Sequence, residues 1–186
     1  MKILVLGGMR SGKSAWAEDR AAGTATAVTY VATAPPRPGD ADWDARIGAH
    51  RARRPAGWST AETGADPAAL LGVLRAAGPS DTLVVDDLGS WLTTALDGAD
   101  AWADPAGART VDQVCGQLVD AVGACAGSLL LVSPEVGWGV VPATRAGRVF
   151  ADAQGGLNQC LAAVCDSAVL VVAGLALPLG GAAPGG

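Results

Sequence analysis

The chain has 186 residues, which is long enough for one α/β domain with a sheet buried on both faces and short for two independent hydrophobic cores. Half of the residues are hydrophobic and 17% are charged, as in globular proteins, and the longest apolar runs fall well short of the roughly 20 residues of a membrane span. The net charge of −5 argues against general binding to nucleic acid or to anionic membranes. The first apolar run is too short for a signal peptide, so we expect a cytoplasmic protein.

Apolar runs and helical spacings alternate along the chain. In chain order they predict a strand at 2–6, a helix at 13–22, a strand at 27–33, a helix at 41–55, a helix at 66–78, a strand at 81–87, a helix from 88, a helix from about 107, a strand at 128–133, a helix at about 144–164 and a strand at 167–174. Strands that alternate with helices imply right-handed crossovers and a mostly parallel sheet with helices on both faces. We expect a single domain over residues 1–176 and a flexible tail at 177–186.

A glycine-rich stretch joins the first strand to the first helix. It matches the phosphate-binding pattern G-x-x-x-x-G-K-[ST] in full, with the residues Gly7, Gly8, Met9, Arg10, Ser11, Gly12, Lys13 and Ser14. Glycines let successive backbone N–H groups turn toward one anion, and the helix N-terminus adds its positive end. In this pattern Lys13 reaches the β- and γ-phosphates and Ser14 offers a hydroxyl to Mg²⁺. Together with the alternating elements, the stretch predicts a three-layer α/β fold of the P-loop NTPase class, RecA-like in type.

P-loop enzymes also place a carboxylate near the Mg²⁺, at the end of a buried strand. The strand TLVV ends in Asp86 and Asp87, which point in opposite directions because side chains alternate along a strand. Asp86 is the better candidate for the metal, and either acid could instead only cap the helix that begins at Leu88. The two motifs predict binding of a nucleoside triphosphate with Mg²⁺ and leave open a kinase, a switch or a motor.

The only histidine of the chain lies in a basic segment. His50 has Arg46, Arg51, Arg53 and Arg54 close by, so four of the 13 basic residues of an acidic protein fall within one short window. One interpretation is a solvated basic helix face with an exposed histidine. The other is that neutral imidazole attacks a phosphorus atom while the arginines hold the phosphates and disfavour protonation of the ring.

Motifs spread over nearly the whole chain resemble those of one family. They are GGMRSGKS (7–14), YVAT (30–33), ARIGAHRARRP with WSTAE (45–62), LVVDDLGSWLT (83–93), EVGWGVVP (135–142) and RAGRVFADAQGGLNQCLAAVCDSAVLVVAG (145–174). In this series the chain resembles the bifunctional adenosylcobinamide kinase/adenosylcobinamide-phosphate guanylyltransferase family of cobalamin biosynthesis. The P-loop alone is unspecific, whereas the histidine-bearing block and the two motifs that follow residue 134 are specific.

The resemblance implies two reactions. In the first, ATP or GTP phosphorylates the hydroxyl of the aminopropanol arm of adenosylcobinamide; in the second, GTP donates GMP to that phosphate and releases pyrophosphate. The family's guanylyl-carrying histidine corresponds to His50, which would form a GMP-histidine intermediate. The resemblance also implies a homo-oligomer, such as a trimer, in which a neighbouring subunit helps to build the site.

The expected site combines the P-loop with positions carried over from the family. Catalytic roles fall to Lys13, Asp86 and His50, and Mg²⁺ would be held by Ser14 and Asp86. Besides the P-loop, the resemblance assigns to the nucleotide site Ala32, Thr33, Ala34, Arg51, Ala52, Arg53, Arg54, Glu62 and Asp86. The shared motifs also contain residues whose roles are less defined, namely Glu135, Arg145, Arg148 and Asn158.

Several interpretations stay open at this point. Glu62 could be a surface acid, Glu135 a turn residue and Asn158 part of a solvated helix face. The base that activates the acceptor hydroxyl could be Asp86, Asp87 or Glu62. The chain departs from the family pattern at Ala49, Asp87 and Pro134, of which Asp87 could alter metal or guanine contacts. Two other functions are conceivable: a monofunctional small-molecule P-loop kinase, for which His50 is dispensable, and a nucleotide-dependent regulatory switch.

Overall fold

A computed structural model describes residues 1–24, 26–36, 39–40, 48 and 54–180. In chain order the elements are β1 (Lys2–Gly7), α1 (Lys13–Ala22), β2 (Ala27–Ala32), β3 (Ser59–Glu62), α2 (Pro67–Ala76), β4 (Asp81–Asp86), α3 (Leu88–Gly98), α4 (Pro105–Ala124), β5 (Ser128–Pro134), α5 (Arg145–Val164), β6 (Ser167–Val172) and β7 (Leu175–Gly180). All five strands expected from the apolar runs are present, and the predicted α/β class is confirmed. No helix in these described ranges is long and apolar enough to cross a membrane.

The strands form one sheet in the order β3-β2-β4-β5-β1-β6-β7. β7 runs antiparallel to β6, and the other neighbouring pairs are parallel. The carboxyl ends of the parallel strands therefore lie along one edge of the sheet, which we call the phosphate-loop edge. At this edge Ala32 pairs with both Glu62 and Asp86, and Gly7 pairs with Pro134. Residues that end different strands are thus brought side by side.

Each face of the sheet has its own hydrophobic core. On one face, Val5, Tyr30, Val84 and Leu130 pack with Ala17 of α1. On the other face, the alternate residues of the same strands pack against α2, α3, α4 and α5. The central strands are buried on both faces, which is why their sequences are near-continuous apolar runs. The mostly parallel, three-layer arrangement agrees with the sequence prediction.

Two edge strands differ from the sequence prediction. β3, with the sequence STAE, is short and mostly exposed, so it lacks the apolar run that marks a buried strand. β7 is exposed at all six positions and ends the sheet beside β6. The tail expected from residue 177 is corrected, because β7 continues to Gly180; residues 181–186 lie outside the described residues. The helix predicted at 41–55 also falls almost wholly outside them.

Candidate functional site

The phosphate loop joins β1 to α1, and two of its glycines are required by close contacts. A Cβ atom on Gly7 would collide with the Ser11 hydroxyl and lie 2.7 Å from the carbonyl oxygen of Val171. Gly12 has φ of 95°, in the left-handed region that favours glycine, and a Cβ atom there would approach the Cα atom of Gly174 at 3.1 Å. The Gly174 N–H also donates to the Ser11 carbonyl oxygen at 2.8 Å. The segment that follows β6 therefore fixes the shape of the loop.

The outer part of the loop faces solvent. Gly8, Met9 and Arg10 are exposed, and Lys13 and Ser14 are half-buried. The Lys13 ammonium folds back over the loop and donates to the Gly8 carbonyl oxygen at 3.4 Å. The Lys13 ammonium and the N-terminus of α1 thus lie next to each other, which is an arrangement suited to a polyphosphate.

Ser14 and Asp86 meet beside the phosphate loop. The Ser14 hydroxyl donates to Asp86 Oδ1 at 3.2 Å, although 72 positions separate the two residues in the chain. Mg²⁺ prefers oxygen ligands and commonly takes one or two from the protein and the rest from phosphates and water. The two side chains fit that requirement, so the predicted metal pair is brought together.

Tyr30 holds the second oxygen of Asp86. Its buried hydroxyl donates to Asp86 Oδ2 at 2.6 Å. Burial, followed by the charge of Asp86, raises the pKa of Tyr30 well above its usual value, so the group stays a donor. The guanidinium carbon of Arg54 lies 3.4 Å from the centre of the Tyr30 ring, in a cation–π contact. This role of Tyr30 was not predicted from the sequence, although the residue shares a strand face with Ala32, which pairs with Asp86.

Asp87 belongs to the opposite face of the sheet. Its Oδ1 accepts the N–H of Ser90 at 2.7 Å and caps α3, so the capping interpretation is confirmed for this residue. Burial, and then the charge of Asp86, raises the pKa of the Asp87 carboxyl, while the bond from Ser90 and the charge of Lys13 act in the other direction. Of the two neighbouring acids, it is Asp86 that contacts Ser14.

The residues at the end of β2 lie next to both acids. Thr33 is buried, and its hydroxyl donates to the Asp87 carbonyl oxygen at 2.6 Å. This side chain therefore ties β2 to β4 on the face opposite Tyr30. Ala32 and Ala34 are half-buried at the phosphate-loop edge. Of the three positions, Ala32 pairs with Asp86 in the sheet, whereas the Thr33 side chain is used within the fold.

Two further residues of the predicted nucleotide site, Glu62 and Arg54, lie at the far end of this edge. Glu62 is exposed and ends β3, one strand beyond Ala32 and two beyond Asp86. Arg54 contacts Tyr30, and its Nη1 donates to Thr60 Oγ1 at 3.4 Å. The other members of the basic segment lie outside the described residues, namely Arg46, His50, Arg51, Ala52 and Arg53.

Glu135 forms a turn directly beside the phosphate loop. Its N–H donates to the Gly7 carbonyl oxygen at 3.1 Å, and its Oε1 accepts the N–H of Gly137 at 2.7 Å. The turn interpretation of Glu135 is therefore confirmed. The hydrogen bond to Gly7 also makes this turn a direct continuation of the phosphate-loop edge.

A buried polar cluster lies under that turn. Asn158 is 7% exposed, so the expectation of a solvated helix face is wrong for this residue. Its Nδ2 donates to the Pro134 carbonyl oxygen at 3.0 Å, and its Oδ1 accepts from Ser133 Oγ at 2.5 Å and from Gln154 Nε2 at 3.1 Å. Gln154 and Ser133, which the sequence analysis missed, complete the support for the end of β5. An apolar helix face would have left the Pro134 carbonyl oxygen without this donor.

Two arginines of the last motif anchor the chain before α5. Arg145 Nη2 donates to the Ala103 carbonyl oxygen at 2.8 Å. Arg148 Nη1 donates to the carbonyl oxygens of Pro142 and Ala143, each at 2.9 Å. Arg148 therefore holds the loop between β5 and α5, and Arg145 ties the start of α5 to the segment between α3 and α4.

A cavity of about 340 Å³, which we call the α3 cavity, opens beside Asp87. It is lined by Pro35, Asp87, Gly89, Ser90, Thr93, Thr94, Asp97, Pro134 and Phe150. A larger cavity of about 660 Å³ lies along β6 and β7, next to Ile3 and Ser167 at the starts of their strands. That cavity is at the edge opposite the phosphate loop, so the α3 cavity is the better candidate for a substrate.

Two solved ATPases of type III secretion systems have a similar fold. The chain matches a prototypical ATPase of the type III secretion system of pathogenic bacteria with a TM-score of 0.59 and 12% identity, over 91% of this chain and 51% of that one. It matches the EscN ATPase of enteropathogenic E. coli with a TM-score of 0.53 and 14% identity, over 92% of this chain and 43% of that one. The chain spans about half of the length of these ATPases, and the likeness shows the fold alone.

Sequence relatives extend over nearly the whole chain. The protein is 42% identical to the bifunctional adenosylcobalamin biosynthesis protein CobP of Pseudomonas aeruginosa, over 97% of this chain and 98% of that protein. It is 36% identical to the bifunctional adenosylcobalamin biosynthesis protein CobU of Salmonella typhimurium, over 96% and 99% of the two chains. The family model described as cobinamide kinase/cobinamide phosphate guanyltransferase matches residues 3–179. With its phosphate loop, its Ser14–Asp86 pair and these relatives, the chain belongs to the cobinamide kinase/cobinamide phosphate guanyltransferase family.

Proposed function

We propose that this protein catalyses two successive transfers to a corrinoid. It phosphorylates adenosylcobinamide with ATP or GTP, and it then transfers GMP from GTP to adenosylcobinamide phosphate, giving adenosylcobinamide-GDP and pyrophosphate. The observation that carries the proposal is a complete phosphate loop with Ser14 and Asp86 in contact, in a chain that belongs to this family over residues 3–179. The names of the bifunctional relatives support both activities.

In the kinase step, the backbone of the phosphate loop and Lys13 bind the triphosphate, and Ser14 and Asp86 would hold Mg²⁺. Bound Mg²⁺ neutralises negative charge on the phosphate oxygens. The alcohol oxygen of the aminopropanol arm forms a bond to the γ-phosphorus, and the bond from that phosphorus to the β–γ bridging oxygen breaks. The nucleoside diphosphate leaves with the electron pair. The hydroxyl proton passes to a carboxylate at the phosphate-loop edge, that of Asp86, Asp87 or Glu62.

In the guanylyl step, we propose that His50 carries GMP. Its neutral imidazole nitrogen forms a bond to the α-phosphorus of GTP, and pyrophosphate leaves. A phosphate oxygen of adenosylcobinamide phosphate then attacks the same phosphorus and releases the imidazole. Support within the described part of the chain comes from Arg54, four positions after His50, which stacks on the tyrosine that contacts Asp86. Two in-line displacements predict net retention of configuration at phosphorus.

Intact mass spectrometry tests the proposed intermediate. After incubation with Mg²⁺ and GTP, the wild-type protein should gain the mass of one GMP group, and His50→Ala should not. The variant should still phosphorylate adenosylcobinamide, because the kinase step does not use the imidazole. Absence of an adduct on wild-type protein, with normal kinase activity in the variant, would favour a monofunctional kinase. Nucleotide-dependent partner binding without any turnover of adenosylcobinamide would favour a regulatory switch.

We also propose that the protein acts in the cytoplasm as a homo-oligomer, such as a trimer. β7 supports association, because Leu175, Leu177 and Leu179 are 76%, 59% and 51% exposed on the last strand of the sheet. Exposed apolar edge strands are sites where chains associate. Light scattering during size-exclusion chromatography should give a mass above that of one chain, and Leu177→Asp should lower it. A monomeric wild-type protein would contradict the proposal.

A further inference from the structure

The loop between β5 and α5 exposes three large apolar side chains. Trp138, Val140 and Val141 are 77%, 95% and 79% exposed. All three lie in the seven-residue segment 136–142, which we call the Trp138 loop. Contiguous exposed apolar side chains mark surfaces that contact a ligand or a partner. The loop therefore presents an apolar surface to something other than water.

The position of the Trp138 loop is fixed at both of its ends. At the start, the Glu135 N–H bonds to the Gly7 carbonyl oxygen at 3.1 Å, and Asn158 holds the carbonyl oxygen of Pro134 at 3.0 Å. At the end, Arg148 donates to the carbonyl oxygen of Pro142 at 2.9 Å. Because Gly7 is the first residue of the phosphate loop, the apolar surface adjoins the place where the triphosphate binds.

The α3 cavity is linked to this loop through Pro134, which lines the cavity and stands two residues before the loop begins. Its polar lining comes from Asp87, Ser90, Thr93 and Asp97, together with Thr94. Among the described residues that line it there is no Lys or Arg, so a polyanionic nucleotide would meet carboxylates without compensating charge. The lining suits a neutral or cationic ligand that carries hydrogen-bond donors, such as amide groups.

We propose that the corrinoid acceptor lies on the Trp138 loop and places its hydroxyl-bearing arm in the α3 cavity. This inference rests on the proposed function. The flat faces of a corrin macrocycle are largely apolar and contact Trp138, Val140 and Val141. The amide groups at its periphery donate to the carboxylates and hydroxyls of the cavity. At about 340 Å³ the cavity is at the low end for ligand sites, so it takes an arm and leaves the macrocycle on the loop outside.

This placement brings the acceptor hydroxyl toward the phosphate loop from the α3 side of the sheet. Asp87 lines the cavity, and its neighbour Asp86 contacts Ser14 on the other face of the sheet. An arm that enters past Pro134 therefore ends next to the carboxyl end of β4. The nucleotide needs no contact with the apolar loop, so the two substrates can be tested separately.

Trp138→Ala tests the apolar half of the proposal. The KM for adenosylcobinamide in the kinase reaction should rise by about tenfold, which corresponds to the loss of one aromatic contact. The KM for GTP and the formation of the GMP adduct, which needs no corrinoid, should not change. Trp138→Phe should restore most of the affinity.

Asp97→Asn tests the cavity half. The Asp97 carboxylate also accepts from Trp102 Nε1 at 2.6 Å, and asparagine keeps an oxygen acceptor for that bond. The KM for adenosylcobinamide should rise several-fold, again with an unchanged KM for GTP. A rise in the KM for GTP, or loss of the GMP adduct in Trp138→Ala, would assign the loop to the nucleotide and overturn the proposal.

Retention of coloured cobinamide in equilibrium dialysis separates the two levels of the proposal. Weaker binding by Trp138→Ala than by wild-type protein supports the acceptor site even if phosphorylation is not observed, in which case only the proposed function fails. Equal binding by both proteins, with an active wild-type enzyme, rejects the acceptor site and leaves the proposed function intact. A change of oligomeric mass in Trp138→Ala with unchanged corrinoid binding would assign the loop to a subunit contact and would also reject the proposal.

Discussion

The two faces of the sheet carry different sites, a phosphate loop on one and an acidic cavity on the other, and these sites meet at the end of β4. On the face covered by α1, Asp86 contacts Ser14 and Tyr30 beside the phosphate loop. On the face covered by α3, Asp87 caps a helix and lines a cavity with acidic and hydroxyl side chains. Two adjacent aspartates supply both regions, since Asp86 ends β4 and Asp87 caps the helix that follows it. One strand end can thus separate a site for a polyanion from a site for a neutral or cationic acceptor.

The largest predicted effect comes from the α1 face. Lys13→Ala should lower both the kinase rate and the rate of GMP adduct formation by about 100-fold or more, because both reactions need the same lysine on the triphosphate. Assays with labelled GTP, quenched at fixed times, measure both rates. Lys2→Ala is the matched control, because the other lysine of the chain begins β1 at the opposite edge and bonds to the Gly123 carbonyl oxygen at 2.6 Å. Unchanged rates in Lys13→Ala would reject the phosphate-loop assignment.

A smaller effect is expected from the hydroxyl that holds Asp86. Tyr30→Phe removes the 2.6 Å bond to Oδ2, so the carboxylate is less well positioned for Mg²⁺. The Mg²⁺ concentration for half-maximal kinase rate should rise several-fold, and excess Mg²⁺ should restore much of the rate. Titration of Mg²⁺ at saturating GTP measures this effect.

Thr33→Val is the control for that substitution on the other face. It also removes a buried hydroxyl at the end of β2, whose 2.6 Å bond goes to the Asp87 carbonyl oxygen. Each substitution should lower the free energy of unfolding by about 1 kcal/mol, the usual net value of such a bond. Only Tyr30→Phe should change the Mg²⁺ dependence. An equal change in both variants would mean that Tyr30 acts on stability alone.

The central fold and the phosphate loop could be predicted from the sequence because each has a strong local pattern. The buried parallel strands are unbroken apolar runs, and the loop needs glycines at positions where a Cβ atom would collide with backbone. β3 and β7 could not be predicted in the same way, because exposed edge strands carry no such run. Their pairing depends on β2 and β6, which already belong to the sheet.

Side-chain roles were harder to predict where they depend on distant partners. Asn158 and Tyr30 lie in the motifs that resemble those of the family, yet their partners are 24 and 56 positions away. Helical position alone left Asn158 open to solvent, and strand position alone did not show that Tyr30 would contact Asp86. Asp87 shows the converse case. Its capping bond to Ser90 joins residues three positions apart, so the capping role could be predicted from the sequence.

The smallest predicted effect is a pH dependence of stability that comes from Asp87. Burial and the charge of Asp86 raise the pKa of the folded Asp87 carboxyl above its ordinary 3.8, so ionised Asp87 disfavours the folded state. This penalty is absent well below pH 3.8, grows as the pH rises through the folded pKa, and is complete above it. Asp87→Asn keeps an oxygen acceptor for the Ser90 N–H and cannot ionise. The variant should therefore melt at a higher temperature than wild-type protein at pH well above the folded pKa, with the advantage shrinking as the pH falls.

Asp87→Ala separates the charge of this residue from its capping bond. Loss of the cap on α3 should cost about 1 kcal/mol, and unlike the effect of asparagine this loss persists at low pH. Thermal melts of the three proteins across the acid range measure both contributions. A constant difference between Asp87→Asn and wild-type protein at every pH would show that the Asp87 charge is not disfavoured in the fold. In that case an ionised carboxylate would cost no stability on the face covered by α3, and the contrast between the two faces would rest on their lining residues alone.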